Sequence, residues 1–190
     1  MPKHRAHPDR SKRPLGAAKL DELALAYVAR FATSRAKLTR YLARKVRESE
    51  WMDESDAMAA CEAIADRMER LRYLDDRQYA AMRAGAMTRR GLGVRRVKAQ
   101  LYVDGIAEAD SGEAIETAEG AAVAAAVGFA RRRRFGPFAV SGSDDPKLRE
   151  RQIAAFLRAG HSMTIARRIL AVPPGDEMAL AALDDEAGLD

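Results

Sequence analysis

From residue 20 to residue 172, apolar side chains recur at helical spacing. Leu20, Leu23, Tyr27 and Phe31 share one face of a helix expected over 20–32. Ser34 suits the N-cap of a second helix at 35–47, with Leu38, Tyr41, Leu42 and Val46 inward. Met58, Cys61, Ile64, Met68 and Leu71 form the stripe of a third at 54–72. Asp75 and Gln78 then resemble a capping box that opens a fourth at 76–90, with Tyr79 and Met82 inward. Val94, Val97 and Leu101 define a fifth at 94–104, and Gly105 stands where a left-handed cap would end it. A sixth is expected at 107–118 around Ile115, and a seventh at 119–134 around Val123, Val127 and Phe129. Phe135-Gly136-Pro137 stops the seventh. Asp145-Pro146 starts an eighth with Ile153, Phe156 and Leu157 inward and Gly160 at its end. Ser162 caps a ninth carrying Ile165, Ile169 and Leu170.

Nine helices in three groups of three predict an all-α fold: three tandem three-helix repeats in an elongated, curved helical array. The expected divisions are a basic disordered arm at 1–19, repeats at 20–74, 75–118 and 119–172, and an acidic tail at 173–190, partly helical at most. The middle helices superimpose. Leu38 and Leu42 match Val97 and Leu101 at an offset of 59, and those match Ile153 and Leu157 at an offset of 56. Leu38, Leu42, Met68, Val97, Leu101, Ile153 and Leu157 are expected to be buried.

Composition narrows the chemistry. The 190 residues are 47% hydrophobic but only 6% aromatic, which suits helices built on alanine and leucine. The single cysteine, Cys61, excludes an internal disulfide, and His4, His7 and His161 offer no metal-ligand cluster. The longest uncharged run, 120–130, is shorter than the ~20 residues a membrane span requires. With no secretory signal visible in the Pro- and Arg-rich start, the expectation is a soluble protein of a reducing compartment. Gly91-Leu92-Gly93 lacks the Gly-Lys-Ser/Thr ending of a phosphate loop, and no Gly-x-Ser-x-Gly occurs. Asp75 and Asp76 read as a cap and a surface residue. No catalytic residue, cofactor or metal site emerges, so the protein is expected not to be an enzyme.

Charge changes the picture most. The net charge is +5, and cations recur in the opening turns of the three middle helices: Arg35 and Lys37, then Arg95, Arg96 and Lys98, then Lys147 and Arg149. There the helix dipole opposes them, at ~0.3–1 kcal/mol per exposed charge. Acids at Arg95 and Arg96 would therefore raise stability slightly. Arg89 and Arg90 end the fourth helix, and Arg131, Arg132, Arg133 and Arg134 end the seventh. Such runs form either a solvated face or a docking surface for an elongated anionic partner. On the second reading Arg35, Lys37, Arg89, Arg90, Arg95, Arg96, Lys98 and Arg131–Arg134 are the candidate partner- and nucleic-acid-binding residues. The basic arm at 1–19 fits either a nucleic-acid contact or a solubilising tail.

Ser34-x-x-x-Leu38-x-x-x-Leu42, then Tyr73-Leu74-Asp75-Asp76, then Arg90-Gly91-x-Gly93-x-x-x-Val97-x-x-x-Leu101-x-x-x-Gly105-Ile106 resembles the RecX family in order and spacing, over about residues 20–170. The third repeat departs from it: Arg158-Ala159-Gly160-His161 stands where members commonly show Arg-x-Gly-Phe. The resemblance implies a bacterial cytoplasmic protein without catalytic residues or cofactor. It implies a regulator that binds the RecA–DNA filament in its groove and inhibits RecA ATPase, strand exchange and co-protease activity. Recombination, DNA repair and the SOS response would be modulated in this way. The expected partners are the RecA filament and single- or double-stranded DNA with little sequence dependence, with no membrane, and the protein is expected to be a monomer. A second reading is a helix-turn-helix-like DNA-binding protein or transcription regulator, since a basic second helix could enter a groove. Few Asn or Gln residues accompany the basic positions, which makes base readout poor. A third is a helical-repeat adaptor.

Overall fold

The computed structural model describes residues 12–140 and 145–186. Residues 1–11 of the basic arm, 141–144 and 187–190 lie outside the described residues. The described residues are mostly helical, with one short parallel strand pair. It divides into two compact units, Met1–Asp75 and Asp76–Asp190.

The first unit holds β1 (Arg13–Leu15), α1 (Ala17–Arg30), α2 (Arg35–Arg47), β2 (Ser49–Trp51) and α3 (Ala57–Arg70). Ser34 caps α2 as expected, its Oγ accepting the Lys37 N–H at 3.3 Å. The three helices enclose Leu20, Ala24, Leu38, Leu42, Cys61, Ile64 and Met68. Burial raises the Cys61 thiol above its usual range, helped by nearby Glu62 and Asp56. Phe31, Met58 and Leu71, expected inward, are exposed. They lie at or near helix ends, where the chain leaves the three-helix contact.

The parallel pair β1–β2 was not expected. It aligns Leu15 with Trp51, with α1 and α2 as the crossover. Three residues per strand are too few for an alternation signal. The strands place Leu15 in the core and bring the loop after β2 to the start of α1. There Asp53 accepts the Ala17 N–H at 2.5 Å, a cap that Gly16 cannot supply itself. The disordered arm proposed for 1–19 is therefore ordered from residue 13 onward where it is described.

The second unit holds α4 (Asp76–Arg89), α5 (Val94–Asp104), α6 (Glu108–Gly120), α7 (Ala122–Arg133), a 3-10 turn (Gly136–Phe138), α8 (Pro146–Ala159), α9 (Met163–Ala171) and α10 (Glu177–Glu186). One apolar cluster packs α4, α5 and α6 around Tyr79, Met87, Val97 and Leu101. Met82, expected inward, is exposed. Asp104 is buried at the end of α5. It accepts hydrogen bonds from Tyr79 Oη at 2.8 Å and Gln100 Nε2 at 3.1 Å, with the Arg83 guanidinium 3.5 Å away. A second cluster packs α7, α8 and α9 around Ala126, Ala130, Phe156, Ala166 and Ile169. The segment 177–186 is a full helix. Asp176 caps it through the Ala179 N–H at 2.9 Å, and Leu183 packs on the second cluster.

The ends of α5 and α8 align these two helices one residue away from the expected match. Gly105 (φ 78°) and Gly160 (φ 94°) are both left-handed caps. Each is flanked by the same bond pair: Gly105 to Tyr102 and Ile106 to Leu101, then Gly160 to Leu157 and His161 to Phe156, all 3.0–3.1 Å. The offset is 55 rather than 56, so Phe156 matches Leu101. Phe156 is fully buried, whereas Ile153 and Leu157 are only half-buried. The cap fixes the register, and one residue of helix turns a side chain by about 100°.

Candidate functional site

The candidate cations meet different surroundings. In the first unit, Arg35 faces one carboxylate per turn of α3: Glu62 at 2.8 Å, Asp66 at 2.5 Å and Glu69 at 3.6 Å. The Asp66 hydrogen bond, then the Glu62 one, hold the guanidinium above its usual pKa, against the cost of burial. Arg35 is thus a clamp between α2 and α3. Lys37 is half-buried in the same first turn, its N–H engaged by the Ser34 cap.

In the second unit the organising feature is the turn Gly91-Leu92-Gly93. Gly91 adopts φ 71°, and its carbonyl accepts from His161 Nε2 at 3.0 Å. The Gly93 N–H donates to the Ala159 carbonyl at 2.9 Å, and the Arg95 N–H to the Gly160 carbonyl at 3.2 Å. The first free amides of α5 therefore meet the last carbonyls of α8. Only glycine permits this approach. A Cβ on Gly93 would lie 2.3 Å from the Gly160 carbonyl carbon, and one on Gly160 would lie 2.5 Å from the Arg96 nitrogen. The positive end of α5 abuts the negative end of α8, so Arg95 and Arg96 also sit at a helix C-terminus, where cations are favoured. This offsets the dipole penalty expected from the sequence.

His161 packs in this junction against Phe129 and Phe156, with ring centroids 5.5 and 5.6 Å away. A carbonyl only accepts, so Nε2 carries the proton towards Gly91. Nδ1 is buried without a hydrogen-bond partner. Burial lowers the imidazole pKa, and the bond to Gly91 opposes that only in part. The ring thus combines aromatic packing with a hydrogen bond to the turn.

Arg89, Arg90, Arg95 and Arg96 are exposed on either side of the glycine turn, and no carboxylate among the described residues pairs with them. Lys98 is paired with Glu119 at 2.8 Å. The Arg132 guanidinium donates to the Arg90 carbonyl, which joins the end of α7 to the same turn. Arg131 lies 5.1 Å over the Phe138 ring, and Arg133 lies 5.9 and 6.0 Å from Phe135 and Phe129. Arg134 is the left-handed cap of α7, φ 54°. Three of these four arginines thus rest on apolar or backbone surface, yet all four remain exposed. At the start of α8, Asp145 caps the Lys147 N–H at 2.9 Å and lies 3.8 Å from Arg151. A cavity of about 240 Å³ adjoins the junction, lined in part by Val94, Arg95, Lys98, His161, Ser162 and Ile165.

The structure therefore gathers Arg89, Arg90, Arg95, Arg96 and Arg132 around one turn and engages Arg35 elsewhere. Sequence reasoning missed the Gly93–Gly160 contact, His161 and Tyr102, which stands 83% exposed on α5. The signal for Tyr102 was its place on the polar side of that helix.

No family model matches the chain. It is 30% identical over 187 residues to the Regulatory protein RecX of Myxococcus xanthus (strain DK1622), covering 90% of this chain and 97% of that relative. It is 30% identical over 102 residues to the Regulatory protein RecX of Agrobacterium fabrum (strain C58 / ATCC 33970), covering 54% of each.

Proposed function

The chain belongs to the RecX family of regulatory proteins, and from that premise we propose that it binds the RecA–DNA filament and inhibits RecA ATPase, strand exchange and co-protease activity. The supporting observation is the hydrogen-bonded turn at Gly91–Gly93, which displays Arg89, Arg90, Arg95 and Arg96 without carboxylate partners among the described residues. Such a surface suits an anionic partner, either DNA phosphate or acidic protein. Arg131–Arg134, Lys98 and Lys37 extend it, and Arg35 has its structural role. On this reading the three helix groups are tandem repeats along the filament, and they reach more than one protomer. Linked weak contacts then multiply through effective concentration. Inhibition follows from tighter binding to one filament state than to the others that hydrolysis cycles through. The protein acts by binding in the cytoplasm, without a reaction of its own.

The test is RecA ATPase on single-stranded DNA with increasing amounts of this protein. The reading expects concentration-dependent inhibition, and no nucleotide hydrolysis by the protein alone. Tight binding to duplex DNA with RecA turnover unchanged would favour the helix-turn-helix alternative instead. No helix among the described residues is long and apolar enough to cross a membrane.

A further inference from the structure

The outer face of α5 carries more than charge. Val97, Leu101 and Asp104 face inward and fix the helix in the α4–α6 group, and the Gly105 cap fixes its end. Opposite them lies Tyr102, 83% exposed. Among the described residues no ring or cation stacks on it. The other tyrosines differ. Tyr27 and Tyr41 stack on each other at 4.2 Å, and the Tyr79 hydroxyl is bonded to Asp104. Tyr73 is also exposed, but it sits outside any helix.

Arg95 and Tyr102 are seven residues apart, almost two full turns, so they lie nearly in line about 10 Å apart along the axis. Ala99, between them on that face, has too short a side chain to block a strand running from one to the other. Val103 and Arg96, both exposed, lie along one side of that line, and Lys98, paired with Glu119, lies along the other. An exposed flat ring, beside guanidinium groups with no carboxylate partner among the described residues, has the chemistry that single-stranded nucleic acid uses: a stacked base and held phosphates. In duplex DNA the bases are already stacked and cannot take the ring. A protein anchor would want a wider apolar surround than the single Val103 supplies.

We propose that the outer face of α5 is a binding site for single-stranded nucleic acid, with Tyr102 stacking on a base while Arg95 and Arg96 hold the adjoining phosphates. This rests on the reading of the basic turn as a binding surface, and it specifies which form of nucleic acid the surface takes.

The experiment measures binding of a labelled oligothymidylate, and of the same strand in duplex with oligodeoxyadenylate, across a salt series. Tyr102→Ala should weaken oligothymidylate binding by about 5- to 150-fold, the range for loss of one aromatic–base stack. Its salt slope and its duplex affinity should be unchanged, and Tyr102→Phe should bind as wild type. Arg95→Ala should instead lower the salt slope by roughly 0.7. Equal oligothymidylate affinity for Tyr102→Ala and wild type overturns the proposal. So does equal loss on single strand and duplex, or no measurable binding of oligothymidylate by wild type. A Tyr102→Ala protein that keeps oligothymidylate affinity but no longer inhibits RecA would make the ring a protein contact, which also overturns it. RecA ATPase run beside these titrations separates the two ideas: unaltered turnover with wild-type protein defeats the regulatory reading, whatever Tyr102 does.

Discussion

Arg35 and Arg95 open the middle helices of two three-helix groups, one in each unit, and a sequence gives no reason to treat them differently. In the first unit α3 turns Glu62, Asp66 and Glu69 towards Arg35. In the second, the start of α5 meets the end of α8, and no carboxylate among the described residues pairs with Arg95 or Arg96; Glu119, which lines the same cavity as Arg95, pairs with Lys98. A cation in a helix's first turn is therefore not by itself a sign of a binding surface. The informative quantity is what the fold brings to it. One arginine is a strut between helices, and the other is held out by backbone contacts that leave its charge available.

That contrast depends on α8 being seated firmly behind α5, and Phe156 is its largest fully buried side chain. Phe156→Ala should cost about 3–5 kcal/mol in urea unfolding, from lost burial plus the cavity left behind. A loss well under that range would mean α8 is loosely held, and the junction could not fix Arg95. Gly93→Ala attacks the same junction more locally, since its Cβ would fall within 2.4 Å of the Gly160 carbonyl group. About 1–3 kcal/mol of destabilisation is expected from such overpacking. Full stability in this variant would show that the two helix ends do not touch as described. In the first unit, Arg35→Ala should lower stability by about 1 kcal/mol, typical of a partly exposed ion-pair network. It should leave RecA inhibition intact. Lost inhibition without lost stability would move Arg35 to the binding surface and dissolve the contrast.

The smallest effect is a pH dependence at the junction. The folded His161 pKa lies below its ordinary 6.5, because burial disfavours the imidazolium. Below pH 6.5 the unfolded chain therefore binds more protons than the folded one. His161 stabilises the fold fully above pH 6.5, and that contribution declines as the pH falls through the folded pKa. Thermal unfolding from pH 8 to pH 5 should show a decline that is reduced in His161→Phe. Identical profiles would contradict the placement of a neutral imidazole there.

What could be read from the sequence was what is encoded locally. Ser34 and Gly105 fix their helix ends through bonds within a few residues, and both α2 and α5 run as expected. The β1–β2 pair was not legible, because its signal is a single buried Leu15 in three residues. By residue type Ile153 and Leu157 align with Val97 and Leu101, one residue off the alignment of α8 with α5 that the caps give. The two left-handed glycines, not hydropathy, carry the register. At the candidate site the basic residues were visible, but which of them is neutralised was not. Glu62, Asp66 and Glu69 do lie in line on α3, yet only the packing of α2 on α3 shows whom they face. His161 and the Gly93–Gly160 contact join residues about 70 apart in sequence, beyond any local pattern.

The central claim is that Arg95 and Arg96 serve a partner rather than the fold. Arg95→Glu with Arg96→Glu tests it through RecA ATPase inhibition measured beside thermal unfolding of the same protein. Acids there would gain from the start of α5 but face the carbonyl end of α8, so stability should change by no more than about 0.5 kcal/mol. Inhibition should fall markedly. A folded double variant that inhibits RecA as well as wild type would contradict the account and leave this surface merely solvated.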